Sequence, residues 1–176
     1  MEEKDWLDVL LGKNQVQAVV EMNRKTERYG LSLTEEECRR LVAAGRENLK
    51  EQRRVEFGAG ILPKLIDTFC DSPYIDQSDY ADICMRLQEI FYLYKNETLD
   101  ELTDDELLDF MREQFDAVCF GDLDYLEGTC LDIFSQAVRA GYRGFQESGG
   151  RGEFERLDIV RRWEKELFLQ ALDDLM

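Results

Sequence analysis

Histidine is absent from the 176 residues. Every mechanism that needs an imidazole is thereby excluded from this chain. Proline occurs twice and glycine 12 times, too rarely for a collagen-like, low-complexity or turn-rich β protein. No apolar run approaches the ~18 residues of a transmembrane helix. The chain begins Met1-Glu2-Glu3-Lys4-Asp5-Trp6, acidic where a secretory signal is basic, and no long apolar stretch follows. Cysteine occurs five times, an odd number, with no Cys-x-x-Cys and no two closer than eleven positions. That spacing argues against a zinc site or a disulfide framework. Each thiol sits beside apolar residues, as in Phe69-Cys70 and Val118-Cys119-Phe120. The expectation is a cytoplasmic protein with reduced, buried cysteines. No serine occupies a Gly-x-Ser-x-Gly elbow and no Ser-His or Cys-His pair can form, so nucleophilic catalysis finds no support.

What is present is an apolar, aromatic and acidic chain. Ten Phe, seven Tyr and two Trp within 44% apolar composition are too many for a disordered acidic polymer. Lys and Arg number 22 against 39 Asp and Glu, a net charge of −17. Such a charge repels phosphate backbones and anionic lipid, so direct nucleic-acid and membrane binding are disfavoured. The imbalance is uneven. Residues 1–96 carry 14 basic and 18 acidic side chains, residues 133–176 carry 7 and 8, and residues 97–132 carry 1 and 13.

Apolar residues recur with the 3.6-residue period of helices almost throughout. A first helix opens at Asn14 and stops near Tyr29-Gly30. Thr34-Glu35-Glu36-Glu37 is a capping box, in which the Thr hydroxyl and the Glu carboxylate each satisfy a backbone amide that the helix leaves open. It starts a helix burying Cys38, Leu41, Val42, Gly45 and Leu49. Gly58-Ala59-Gly60 reads as a tight turn, since no strand precedes it and no Gly-Lys-Ser/Thr follows. Pro63 then falls in the first turn of a third helix, where its missing N–H costs nothing. The fourth helix, about Ser78 to Lys95, is apolar nearly all round and should be the hub of the core. Thr103-Asp104-Asp105-Glu106 is a second capping box, with Leu102 and Leu107 as a hydrophobic staple. The helix it opens buries Leu107, Leu108, Met111, Phe115, Val118 and Cys119. A sixth buries Leu123, Leu126, Cys130, Ile133, Phe134, Ala137 and Val138. The expected fold is all-α, a single compact bundle of six or seven helices around a central apolar helix. Residues 1–142 form the helical domain and 143–152 a glycine-rich linker. A C-terminal helix over 153–176 carries Trp163, Phe168 and Leu172, packed on the domain or binding a partner.

Four strings are distinctive: Glu56-Phe-Gly-Ala-Gly-Ile-Leu, Phe69-Cys-Asp-Ser-Pro-Tyr-Ile, Ile90-Phe-Tyr-Leu-Tyr-Lys-Asn-Glu-Thr, and Phe115-Asp-Ala-Val-Cys-Phe-Gly-Asp-Leu-Asp-Tyr-Leu. With them the chain resembles an uncharacterised family of small acidic bacterial proteins, a domain of unknown function, over about residues 14–142. The resemblance implies a bacterial cytosolic protein and brings no activity, cofactor or catalytic residue.

The candidate site is an acidic stripe. Asp105, Asp109 and Glu113 stand at i, i+4 and i+8, and Asp116 completes the row. Asp122, Asp124 and Glu127 follow on the next helix. Like charges at i, i+4 oppose the helix by a few tenths of a kcal/mol each, and Arg112 alone relieves them. Three readings stay open: a solvated face, a docking surface for a basic protein partner, and a divalent-metal site. In its sharpest form the metal reading pairs Glu97-x-x-Asp100 with Glu113-x-x-Asp116, a spacing like that of all-α Mg²⁺-dependent nucleotide pyrophosphohydrolases. Glu101-x-x-Asp104 and Glu155-x-x-Asp158 show that an acidic chain yields such pairs by chance. The preferred expectation is a non-enzymatic interaction or regulatory module without a cofactor.

Overall fold

A computed structural model describes residues 3–147, with side chains from 10 to 145. The expected helix over 153–176, with Trp163, Phe168 and Leu172, lies outside the described residues. Those described are helical, with no strand among them. The helices are α1 (Glu3–Glu21), α2 (Asn23–Thr26), α3 (Glu35–Glu51), α4 (Leu62–Phe69), α5 (Tyr80–Glu97), α6 (Asp104–Ala117), α7 (Leu123–Tyr125) and α8 (Asp132–Arg139). A π-helical turn, Leu126–Leu131, joins α7 to α8, and 3-10 turns cover Glu27–Tyr29 and Gly144–Glu147. The chain gathers into two units, Met1–Leu93 and Tyr94–Met176. The boundary falls inside α5.

In the first unit, α1 starts eleven residues earlier than expected. Asn14 lies inside it rather than capping it. Propagating a formed helix costs less than nucleating a new one, and no proline interrupts Glu3–Glu21. The chain then turns through α2 and a 3-10 turn to Gly30, left-handed at φ 76°. Asn23 fastens the connection that follows, at Leu33. Its amide donates to the Leu33 carbonyl and accepts from the Leu33 N–H, both at 2.9 Å. Both halves of the Thr34–Glu37 capping box form. Behind it Cys38, Leu41, Val42 and Gly45 are buried, while Leu49 is half-buried. Gly45 is required by a close approach: a Cβ there would stand 2.5 Å from Oε1 of Gln88. The Gln88 amide donates to the Leu41 carbonyl at 3.0 Å. Pro63 sits in the first turn of α4, and Leu62, Leu65, Ile66 and Phe69 are buried. On α5, Tyr80, Cys84, Leu87, Gln88, Ile90, Phe91 and Tyr92 are buried, as a helix apolar nearly all round demands.

In the second unit the Thr103–Glu106 capping box forms in full, and Leu102 and Leu107 are buried. α6 buries Leu107, Leu108, Met111 and Phe115, and also Phe110 and Gln114. Phe110 stacks on Phe134 of α8 with centroids 3.8 Å apart. Phe134 meets Tyr142 and Phe145 edge-on. Phe145 is fully buried, so the start of the expected linker is a packed 3-10 turn. The expected sixth helix is interrupted by the π turn. Its wider winding brings Leu131, five residues past Leu126, onto the buried face.

Burial raises several pKa values. It pushes the Cys38 thiol up to about 11, with Glu37 and Glu35 adding to the effect. It pushes Cys84 up to about 12 and Tyr94 up to about 12, with Asp132 contributing next. Tyr80 is raised further, again chiefly by burial. Each of these groups is neutral in the fold and ionises more easily when exposed. Their contribution to stability is complete below the unfolded values of 9.0 and 10.0 and is lost as pH rises through about 11 to 12. Urea midpoints are therefore expected to hold between about pH 7 and 9 and to fall steadily above. A midpoint that holds or rises up to pH 11 would contradict the buried, neutral state of these thiols and phenols.

Candidate interaction surface

The acidic candidates are placed by α6 and the corner that follows it. Asp105 and Asp109 are exposed on α6. Glu113 is half-buried, and its Oε1 is shielded from solvent. Asp116 accepts from Nε of Arg112 at 2.7 Å, one turn away. The like-charge row is thus relieved at its C-terminal end, and its solvated part is Asp105 and Asp109.

Past Asp116 the chain leaves α6 in a corner. Val118 ends the helix, and Phe120 and Gly121 follow in the left-handed region at φ 48° and 85°. Left-handed backbone costs a bulky residue on the order of 1–3 kcal/mol. The corner nonetheless points Phe120 outward, 67% exposed. Asp122 then caps α7: its carboxylate accepts from the Asp124 and Tyr125 amides at 3.0 and 3.1 Å. Asp124 is exposed, and Tyr125 is 39% exposed. Glu127 is half-buried in the π turn, where its backbone carbonyl accepts the Tyr94 hydroxyl at 2.6 Å. Behind the corner, Cys119 and Cys130 are buried with sulfurs 3.6 Å apart.

The residues of the metal reading are scattered in role. Glu97 ends α5 and pairs with Arg139 at 3.4 Å. Asp100 is exposed in the α5–α6 turn, left-handed at φ 57°. Glu113 and Asp116 are on α6, as above. Among the described residues no group of three or more Cys, Asp or Glu side chains is gathered for a metal ion. The Gly58-Ala59-Gly60 turn has left-handed glycines at φ 68° and 75°.

Charge and spacing pointed to the carboxylates of this region but missed Phe120. The only sequence signal was Phe-Gly directly after a helical run, a pair that marks a corner without saying which way the ring faces. Gln114 was missed as well. It is wholly buried, and neither amide atom has a hydrogen-bond partner among the described residues.

A profile described as "Family of unknown function (DUF6323)" matches residues 18–144. The chain belongs to this family. The matched span runs from the last turn of α1 to the start of the final 3-10 turn, so it takes in the acidic corner of this DUF6323 member. No curated protein and no solved structure gives a significant match to the chain. No helix among the described residues is long and apolar enough to cross a membrane.

Proposed function

We propose that this DUF6323 protein is a non-enzymatic interaction module, and that its acidic corner docks a basic protein. The observation that carries this reading is Phe120: a large apolar side chain held outward by left-handed backbone, with Asp116, Asp122 and Asp124 within four residues. A solvated face needs charge but has no use for an exposed, strained aromatic. A docking surface uses both. Aromatic side chains dominate the energy of interfaces, and a polar rim excludes water around them. A guanidinium can stack on the ring while it pairs with a neighbouring carboxylate. The surrounding field of residues 97–132 would speed encounter with a basic patch and orient it, with salt weakening the effect.

The test is an affinity capture from extracts of the source cells at several salt concentrations. It compares wild type, an Asp105→Asn/Asp109→Asn/Asp124→Asn variant, and Phe120→Asn. Asn tolerates the left-handed backbone, and the three Asp sites avoid the Asp122 cap, so all should fold. A basic partner should be retained by wild type in a salt-sensitive manner, with at least tenfold less retained by either variant. The same partners with the same salt dependence in all three forms would reduce the acidic corner to a solvated surface.

A further inference from the structure

Cys119 and Cys130 stand at the two ends of the acidic corner, one just past α6 and the other in the π turn. Their sulfurs are 3.6 Å apart, in van der Waals contact, and a disulfide would bring them about 1.6 Å closer. A rotation shared between the two side chains covers that distance. The backbone at both ends is wound more widely than an α-helix. The Cys119 N–H donates to the Gln114 carbonyl, five residues back, at 2.9 Å, and Cys130 lies inside Leu126–Leu131. Single π turns of this kind recur at functional sites. Cys130 is 1% exposed, whereas Cys119 is 6% exposed and directly precedes the outward Phe120, so Cys119 is the thiol that solvent reaches first. Cys38 and Cys84 of the first unit differ. Burial pushes them up to about 11 and about 12, which withholds the thiolate that oxidation requires.

We propose that Cys119 and Cys130 are a reversible redox pair, which a hydroperoxide converts to an intramolecular disulfide. With hydrogen peroxide, the Cys119 thiolate attacks first. A sulfur–oxygen bond forms, the oxygen–oxygen bond breaks, and the leaving hydroxide takes up the proton that Cys119 gave up, as water. The Cys130 sulfur then attacks the Cys119 sulfenic acid. The sulfur–sulfur bond forms, the sulfur–oxygen bond breaks, and the hydroxyl leaves as water with the Cys130 proton. The two thiols together lose two electrons and two protons, and one peroxide is reduced to two waters. The bond closes residues 119–130 into a ring that contains Phe120, Asp122, Asp124 and Glu127. Its formation does not depend on whether the corner docks a partner.

The test treats the reduced full chain with hydrogen peroxide, blocks the remaining thiols with N-ethylmaleimide, and measures peptide masses. No Lys or Arg lies between Arg112 and Arg139, so trypsin releases both cysteines in one peptide, 113–139. That peptide should lose two hydrogens and stay unblocked. Further cleavage after Glu127 should leave its halves joined until dithiothreitol is added. The peptides of Cys38, Cys70 and Cys84 should carry the maleimide. Cys130→Ser should instead leave a sulfenic acid at Cys119, trapped as a dimedone adduct, and Cys119→Ser should leave Cys130 blocked by maleimide. The oxidised wild type should keep its helical circular dichroism, because the fold already places the two sulfurs in contact. A doubly blocked 113–139 peptide, a disulfide to any other cysteine or between chains, or loss of the helical signal on oxidation would each overturn the proposal.

Discussion

Phe91→Ala should cost about 3–5 kcal/mol, the usual range for deleting a buried phenyl ring. That is a large share of the roughly 5–15 kcal/mol by which domains are stable. Phe91 is 1% exposed on α5 and meets the Tyr92 ring edge-on at 5.4 Å. The Tyr92 hydroxyl in turn donates to the Glu56 carboxylate, with Oε2 at 2.6 Å and Oε1 at 2.7 Å. Removing the phenyl leaves a cavity and takes one side of the packing from an aromatic that anchors a loop. Urea denaturation followed by far-ultraviolet circular dichroism measures the loss. Leu93→Ala is the reference on the same helix. Leu93 is half-buried, so its loss should be clearly smaller. Equal losses at the two positions would mean that α5 does not hold the core through Phe91.

Lys95→Met should cost about 2–4 kcal/mol. Lys95 is 8% exposed; its ammonium donates to the Leu102 carbonyl at 2.5 Å and pairs with Asp104 at 2.9 Å. Methionine keeps much of the stem but leaves a buried carbonyl without its charged donor, the expensive half of a broken hydrogen bond. Breaking a buried ion pair costs about 3–5 kcal/mol. Asp104, at 42% side-chain exposure, is repaid partly by water, which lowers the figure. The lysine also spans a strained turn, since Leu99 and Asp100 are both left-handed at φ 57°. Consecutive left-handed residues persist only where the surroundings hold them. The clamp from α5 to the residue before the α6 cap supplies that hold, together with the Thr98 hydroxyl, which donates to the Tyr94 carbonyl at 2.7 Å. Asp104→Asn leaves the bond to Leu102 in place and should cost at least about 1 kcal/mol less. Equal losses in the two variants would assign the effect to the ion pair instead of the carbonyl bond.

The helices were legible because helices are local. Period, caps and breakers lie within a few residues of one another, so Thr34 with Glu37 and Thr103 with Glu106 announced their helix starts, and Pro63 its first turn. Position along a helix was legible for the same reason: Cys38, Leu41, Leu107 and Met111 are buried where the period put them. The start of α1 was not. Asn14 has the chemistry of a cap, but a cap acts only where the helix ends, and nothing before it stops the helix.

Tertiary structure decided what each polar group is for. The acidic row was visible as charge, yet Arg112 takes Asp116, Asp122 spends its oxygen on a cap, and Arg139 meets Glu97. The direction of Phe120 depends on a left-handed corner, and side-chain periodicity carries no information on φ. In the sequence Lys95 marked only the approximate end of the fourth helix, whereas burial makes it the clamp of the α5–α6 turn. The contact of Cys119 with Cys130 joins the end of α6 to the π turn, eleven positions on. Composition and spacing determined that this chain is helical, acidic and without histidine chemistry. Which charges face solvent and which thiols meet depends on contacts between distant residues, and sequence period cannot encode those contacts.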